Sequence, residues 1–194
     1  EAQRLSETEL DQFSRKIRIY YVLSCFDEKY MDSCFATISS GILAGAVKGL
    51  CYDADAKMGK DQVTVNLPVR VNWGGGWSDT PPYCMEHGGT VLNAAVMLDG
   101  NCPIEVVVKK VDEPVIVLAS ADSGAEQTFT DISSFQDSSN PYDPFALHKA
   151  ALIACGVIPY KEPVSVQEIT KNLGSGLYLS TQVINIPRGS GLGT

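Results

Sequence analysis

The hydrophobic pattern of this 194-residue chain changes its period once, near residue 61. Before that point, apolar residues recur every three or four positions over residues 6–30, which predicts an amphipathic helix. Residues 33–50, rich in Ala and Gly, are predicted to form a second helix. After it, apolar and polar residues alternate over residues 62–67 and 69–72, as they do in half-buried strands. The sequence therefore predicts a helical hairpin followed by a domain that contains a sheet.

Further strands and one further helix are expected in the second part of the chain. The turn signals between these strands are short and suit antiparallel connections. The strands are predicted at residues 90–98, 104–111, 115–120, 127–130 and 177–186, and the helix at residues 144–155. Since strands and helices do not strictly alternate, we predict an α+β fold with a helical hairpin or connector at residues 1–60 and a domain at residues 61–194.

The charge of the chain excludes two classes of partner. It carries 23 acidic and 15 basic residues, a net charge of −8, without a basic stripe. Nucleic acids and anionic membranes both need clustered Lys and Arg, so we expect neither as a partner. The longest uncharged run of the N-terminal part, the 15 residues from Ser33 to Val47, is shorter than the roughly 20 apolar residues that span a bilayer.

The six cysteines are scattered without a CxxC pair. This spacing favours buried reduced thiols over a disulfide framework or a zinc site. The first residues also carry no signal peptide. We therefore expect the cytoplasm as the compartment.

Three consecutive glycines, Gly74–Gly76, lie in the most unusual segment of the chain, residues 68–83. Without Cβ atoms, the backbone can adopt positive φ angles and approach a ligand closely. Arg70 precedes these glycines, Asp79 follows them, and two tryptophans flank the loop. A polyol substrate needs this mixture of carboxylate, aromatic walls and bare backbone. A tight turn whose glycines serve only backbone geometry explains the segment about equally well.

A second glycine-rich run covers residues 187–194, with glycines at 189, 191 and 193. Alternate glycines let consecutive backbone N–H groups point into one concavity, which suits a phosphate. The spacing matches neither the Walker A sequence nor the dinucleotide fingerprint. The alternative is a glycine-rich tail without a role.

The histidines offer weaker candidates. His148 falls on the apolar face of the predicted helix 144–155, with Asp143 as a possible cap, so we interpret it as a core histidine rather than a catalytic base. His87 lies beside two glycines and is interpreted as a turn residue. The run 131–143, rich in Ser and Asp, is interpreted as a solvated loop.

Together, the two glycine segments resemble motifs of the GHMP kinases, the superfamily of galactokinase, homoserine kinase, mevalonate kinase and phosphomevalonate kinase. The second segment matches their phosphate loop, P-x-x-x-G-L-G-[ST], at Pro187, Gly191, Leu192, Gly193 and Thr194. The first segment, with residues 88–93 and 143–150, is similar to the L-fucokinase branch, which includes the kinase half of bifunctional fucokinase/GDP-fucose pyrophosphorylases. Heptose-phosphate kinases share a G-G-G-x-x-D loop, so they remain the alternative.

The resemblance implies the N-terminal half of a GHMP-kinase fold, with a mixed, largely antiparallel sheet packed by helices. It also implies ATP-dependent phosphorylation of the anomeric hydroxyl of L-fucose to fucose 1-phosphate, with Mg²⁺ present. Arg70 would be the catalytic residue, stabilising charge on the transferring phosphoryl group. The sugar-binding residues that it implies are Asn72, Trp73, Gly75, Gly76, Trp77 and Asp79. The residues that it implies for the ATP phosphates are Gly189, Ser190, Gly191, Leu192, Gly193 and Thr194.

The resemblance also implies groups that these 194 residues lack. The serine that helps to hold Mg²⁺ and the aspartate that acts as base would follow Thr194, so no metal ligand is expected within this chain. We therefore expect a fragment of a longer kinase, inactive alone, which the C-terminal half of the kinase completes. In bifunctional relatives a nucleotidyltransferase domain precedes the kinase, which would make residues 1–60 a connector. A non-catalytic module that senses a sugar or nucleotide is the alternative of another class.

Overall fold

The computed structural model describes residues 13–80, 83–135, 140 and 142–187. The start of the first predicted helix and residues 188–194 of the predicted phosphate loop lie outside these residues. The described residues form two compact units. One contains the chain up to Gly49 together with Asn72–Ala94, and the other contains Leu50–Val71 together with the chain from Ala95 onward.

The first unit contains a helical hairpin, as the sequence predicts. Helix α1 is Phe13–Ser24 and helix α2 is Lys29–Val47. They run antiparallel, because the Cys34 thiol donates to the carbonyl of Ile17 at 3.6 Å near the middle, while Gly41 lies against the ring of Phe13 at the far end. A Cβ at Gly41 would lie 2.1 Å from that ring, so the glycine permits the close packing of the two helices.

The prediction of one helix over residues 6–30 is wrong at its C-terminal end. The helix stops at Ser24, and a turn separates it from α2. The side chain of Asp27 accepts hydrogen bonds from the amide of Lys29 at 3.2 Å and from its ammonium group at 2.6 Å. An Asp that bonds the backbone two residues ahead favours a turn over a continuing helix, which explains the break.

The first unit also contains the segment between two paired strands, β2 and β3. The remaining strands form a five-stranded sheet in the second unit, in the order β1-β4-β7-β5-β6. The strands are β1 Gln62–Leu67, β2 Val69–Gly74, β3 Leu92–Val96, β4 Ile104–Val111, β5 Ile116–Ser120, β6 Ala125–Phe129 and β7 Gly176–Val183. All seven overlap segments that the sequence predicts as strands.

The five-stranded sheet is mixed and mostly antiparallel. Its β1–β4, β4–β7 and β5–β6 pairs are antiparallel, and its β5–β7 pair is parallel. In register, Val65 faces Val106, and Leu179 lies between Val108 and Leu118. The α+β prediction is thereby confirmed.

Two helices and a short 3-10 turn complete the core of the second unit. Helix α4 spans Ala146–Ala154 and α5 spans Val166–Leu173, while Tyr83–His87 forms the short helix α3 of the first unit. Side chains from the sheet, from these helices and from the segments next to them make one apolar cluster. Its most buried members include Ile116, Leu118, Phe135, Ile158, Val166 and Ile169.

Two features of this core correct the sequence analysis. Helix α5 was not predicted, although Ser165 caps it by accepting from the Glu168 amide at 3.1 Å and Gly174 ends it at φ +80°. The run 131–143 is not simply a solvated loop, because Ile132–Phe135 forms the 3-10 turn and places Phe135 in the core at 0% exposure. Burial of that ring outweighs the polar composition around it.

Candidate functional site

All six predicted sugar-binding residues lie in one segment of the first unit. Strand β2 ends at Gly74, and the chain turns through residues 75–80 before α3 and then β3. We call residues 72–80 with residues 88–90 the glycine loop. The side chains of Asn72, Trp73, Trp77 and Asp79 are all exposed there. The loop therefore presents to solvent the polar and aromatic groups that the sequence analysis singled out.

Two glycines allow the two segments of the glycine loop to lie in close contact. Gly75 has φ +76°, and a Cβ on it would lie 2.0 Å from the carbonyl oxygen of Thr90. A Cβ on Gly89 would lie 2.5 Å from the carbonyl oxygen of Ser78. Each segment thus places a glycine against the backbone of the other, and no other residue type fits either position without movement.

The third contact of this kind joins two of the predicted residues. A Cβ on Gly76 would lie 2.8 Å from the side-chain nitrogen of Asn72. The structure therefore brings Asn72, Gly75 and Gly76 together within one loop. The amide of Asn72 remains exposed beside the bare backbone of Gly76.

Trp77 has an unusual backbone conformation. Its φ is +74°, in the left-handed region, and its side chain is 84% exposed. For a residue with a Cβ, that conformation costs about 1–2 kcal/mol, and a ring in solvent recovers little of it by burial. Trp73, on β2, is 70% exposed. The loop thus displays two large aromatic rings without packing them in the core.

Ser78 connects the segments of the loop and was not among the predicted site residues. Its hydroxyl lies 2.6 Å from the carbonyl oxygen of Gly75 and 3.0 Å from that of Thr90, and it accepts from the Thr90 amide at 3.1 Å. The sequence signal for it was its place between two candidate residues, Trp77 and Asp79. Its partner twelve residues away is visible only in the folded chain.

Arg70, the predicted catalytic residue, is exposed on β2 and belongs to the second unit. It makes an interaction of its own within the described part of the chain. The predicted phosphate-binding residues 189–194 lie outside that part.

A separate polar cluster lies buried in the second unit, around His148 on α4. The side chain of His148 is 4% exposed, and its Nε2 lies 3.0 Å from the carbonyl oxygen of Ala119 and 2.9 Å from the hydroxyl of Thr181. A carbonyl only accepts, so Nε2 carries the proton of the neutral ring. Among the described residues, none bonds the buried Nδ1.

Burial lowers the pKa of His148 below its usual value, although the hydrogen bond that the ring donates to the Ala119 carbonyl and the charge of Asp143 both raise it. Protonation of the ring would add a proton at Nδ1, and no described residue accepts a hydrogen bond there. The interpretation of His148 as a core residue agrees with this placement. Its neutral ring joins the ends of the parallel strands β5 and β7.

Next to His148, the ammonium group of Lys149 contacts a carboxylate oxygen of Asp143 at 2.5 Å, and both side chains are largely buried. The same ammonium group lies 5.0 Å from the ring centre of Phe129. Burial alone would raise the pKa of Asp143, but the hydrogen bonds from Lys149 and from the Phe145 amide outweigh it, so the pKa lies below its usual value. Asp143 thus holds the start of α4 and neutralises a buried cation.

Neither a metal site nor a membrane-spanning helix is found in the part of the chain that is described. No group of three His, Cys, Asp or Glu side chains there could hold a metal ion. No helix in these ranges is both long and apolar enough to cross a membrane.

Much of the chain is similar in sequence to bifunctional fucokinases. It is 42% identical over 130 residues to the L-fucokinase/L-fucose-1-P guanylyltransferase of Bacteroides fragilis, covering 66% of this chain and 14% of that protein. It is 41% identical over 130 residues to the bifunctional fucokinase/GDP-fucose pyrophosphorylase of Arabidopsis thaliana, covering 67% and 11%. No protein-family model matches the chain. The chain is thus homologous to these proteins but spans a small part of their length.

Solved kinase structures are also similar to this fold. The mevalonate kinase of Methanococcus jannaschii superposes with a TM-score of 0.43 and 14% identity, over 70% of this chain and 36% of that one. A D-glycero-D-manno-heptose 1-phosphate kinase from Bacteroides thetaiotaomicron superposes with a TM-score of 0.38 and 22% identity, over 69% and 36%.

Proposed function

Since about two thirds of this chain is homologous to two bifunctional fucokinases, we propose that it is part of an ATP-dependent sugar kinase. The proposed reaction is phosphorylation of the anomeric hydroxyl of L-fucose to fucose 1-phosphate. The observation that carries the proposal is the glycine loop, which presents Asp79 and two tryptophans to solvent on a tightly held backbone.

Each exposed group of the loop has a role in this proposal. The carboxylate of Asp79 accepts hydrogen bonds from sugar hydroxyls, and the amide of Asn72 both donates and accepts. The rings of Trp73 and Trp77 stack on the apolar face of the sugar. Their exposure at 70% and 84% supports this role. Gly75 and Gly76 let the backbone approach the sugar closely.

The phosphoryl transfer is assigned to residues outside the glycine loop. Arg70 stabilises the charge that develops on the transferring phosphoryl group, the role that positioned cations play in such reactions. ATP binds by its phosphates to the backbone amides of residues 189–194. Mg²⁺ would neutralise the phosphates, held by residues that follow Thr194.

The organisation of the longer protein is part of the same proposal. Residues 61–194 supply the N-terminal half of the kinase, and residues 1–60 connect it to a preceding nucleotidyltransferase domain. The C-terminal half supplies the base that takes the proton from the anomeric hydroxyl. The net charge of −8 supports a small neutral sugar rather than nucleic acid as the partner. The scattered cysteines support the cytoplasm as the compartment.

The test is a coupled assay of ATP consumption by the longer protein. L-fucose should support turnover, and Arg70→Ala should lower kcat by about a hundredfold or more, as loss of a charge-stabilising donor does. Arg15→Ala, which removes an exposed arginine of α1, is the control and should leave kcat unchanged. Turnover with a heptose phosphate but not with L-fucose would assign the chain to the alternative sugar kinase. Binding without turnover in the complete protein would favour a sensing module.

A further inference from the structure

We propose that Ser78 is a positioning residue that sets the affinity of the glycine loop for its sugar, an inference that rests on the proposed sugar-kinase function. Its hydroxyl does not contact the ligand in this proposal. It fixes the backbone from which the neighbouring side chains, Trp77 and Asp79, reach solvent.

The hydrogen bonds of Ser78 join two segments that are twelve residues apart in sequence. The hydroxyl accepts from the Thr90 amide at 3.1 Å and lies within donating distance of two carbonyl oxygens, those of Gly75 and Thr90. One hydroxyl has one proton and two lone pairs, so it can accept from the amide while its proton is donated to one carbonyl or shared by both. The Ser78 amide also donates to Gly75 at 3.1 Å, which closes the turn around Trp77.

The residues on either side of Ser78 point the opposite way. Ser78 is half-buried, whereas Trp77 and Asp79 are exposed. The chain therefore turns its small polar side chain inward and its two larger candidate ligand-binding side chains outward. A change in the inward contact alters where both outward groups lie, because the three residues are consecutive.

The two glycine contacts alone do not fix this arrangement. Gly75 and Gly89 permit the close approach of the segments, since a Cβ on either would collide with backbone atoms. Shape alone does not hold the two segments together. The hydroxyl of Ser78 does so, because it bonds both the N–H and the C=O group of Thr90. The exposed, left-handed Trp77 adds strain that the surrounding contacts must hold.

The experiment compares three variants of the longer protein by calorimetric titration with L-fucose, and by amide hydrogen exchange and thermal unfolding without sugar. Ser78→Ala removes the hydroxyl, and Ser78→Thr restores one. Ser123→Ala is the matched control, because Ser123 also bonds a carbonyl three residues back, at 3.2 Å, and accepts from an amide two residues ahead, that of Ala125.

Ser78→Ala should raise the Kd for L-fucose about tenfold, because the loss of one hydrogen bond makes the ordered form of the exposed loop less favourable by about 1 kcal/mol. Its Thr90 amide should lose protection from exchange, while its midpoint of thermal unfolding stays close to that of the unaltered chain. Ser78→Thr should recover both the Kd and the protection. Ser123→Ala should expose the Ala125 amide and leave the Kd unchanged.

Two results overturn the proposal. An unchanged Kd in Ser78→Ala shows that the hydroxyl does not set affinity, and an unchanged Thr90 amide shows that it does not hold the loop. Failure of the unaltered longer protein to bind L-fucose contradicts the proposed substrate instead and removes the affinity role with it. The exchange measurement, which needs no sugar, then still decides whether Ser78 holds the loop.

Discussion

The glycine loop and the buried cluster around His148 use polar residues in opposite ways. In the cluster, His148 and Lys149 are 4% and 5% exposed. Nε2 of His148 bonds a carbonyl and a hydroxyl, and the ammonium group of Lys149 bonds a carboxylate. In the loop, Trp77 is 84% exposed, and the backbone is held by glycines and one serine. His148 and Lys149, although of types common in active sites, thus stabilise the fold. The exposed side chains of the glycine loop, by contrast, are attached to a backbone whose close contacts depend on glycine.

The largest effect is expected where the cluster loses its charge balance. Lys149→Met should lower the free energy of unfolding by about 3 kcal/mol, because it leaves the carboxylate of Asp143 largely buried without its partner. Urea unfolding measures this loss. The double variant Lys149→Met with Asp143→Asn should lose less.

An exposed ion pair serves as the control for that comparison. Lys110 contacts Asp61 at 3.0 Å, and the carboxylate side chain is 96% exposed. Lys110→Met should change the free energy of unfolding by less than about 1 kcal/mol. An equal loss in both single variants would show that the burial of the Lys149 pair does not matter.

The second effect should appear in the loop. Gly75→Ala should cost about 2 kcal/mol and raise the Kd for L-fucose at least about tenfold, because the residue has φ +76° and its Cβ would meet the carbonyl of Thr90 at 2.0 Å. Gly124→Ala is the matched control, since Gly124 has φ +64° but open space around it. It should cost about 1 kcal/mol and leave sugar binding unchanged. A normal Kd in Gly75→Ala would contradict the close-approach account.

Much of the fold follows from the sequence, and the reasons for the exceptions are physical. All seven strands overlap predicted ones, two from the alternation of apolar and polar residues and five from segments separated by short turn signals. Helix α5 escaped prediction although Ser165 and Glu168 form its capping signature, since its eight residues give little periodicity to read. The sequence analysis also missed the 3-10 turn at Ile132–Phe135, because the residues around Phe135 are mostly polar. The structure shows that Phe135 is in the core, at 0% exposure.

The candidate site divides in the same way. The sequence identifies the glycines, the tryptophans and Asp79 as unusual, because their types and order are unusual. It does not show that Gly75 lies against Thr90 or that Ser78 bonds Thr90, since both contacts join residues that are distant in sequence. Nor does any pattern predict a left-handed Trp77, because nearly every L-residue avoids that conformation.

A smaller effect is expected from pH, and it should arise in the cluster rather than the loop. The pKa of His148 is lowered in the folded chain, so below about 6.5 the unfolded chain binds the proton more readily than the folded one. Stability from this group is therefore complete above about pH 6.5 and falls as the pH drops toward the folded pKa. Urea unfolding between pH 5 and 7.5 should show this slope.

Two variants assign that slope to one residue. His148→Gln should abolish it, whereas His87→Gln, which alters an exposed histidine of α3, should keep it. The pKa of Asp143 is also lowered, but its contribution is lost only as the pH falls below about 3.8, outside this window. A slope that survives in His148→Gln would show that another group carries it.

The smallest effect compares the two tryptophans of the loop. Trp77→Gly should stabilise the chain slightly, by about 0.5 kcal/mol, because glycine relieves the left-handed strain at φ +74° but adds freedom to the unfolded chain. Trp73→Gly, in strand β2, should instead cost about 1 kcal/mol. Thermal unfolding of both variants measures the difference. Destabilisation by Trp77→Gly would show that its exposed ring contributes to folding.

The most direct test of the central claim uses the fact that the only two tryptophans of the chain, Trp73 and Trp77, both lie in the glycine loop. Their fluorescence therefore reports on that loop alone. Titration with L-fucose should change the emission in a saturable way. Asp79→Asn should raise the Kd obtained from this titration at least about tenfold, because hydrogen bonds to a charged acceptor are lost. An emission that L-fucose does not change, or a response that Asp79→Asn leaves intact, would contradict the account that this loop binds the sugar.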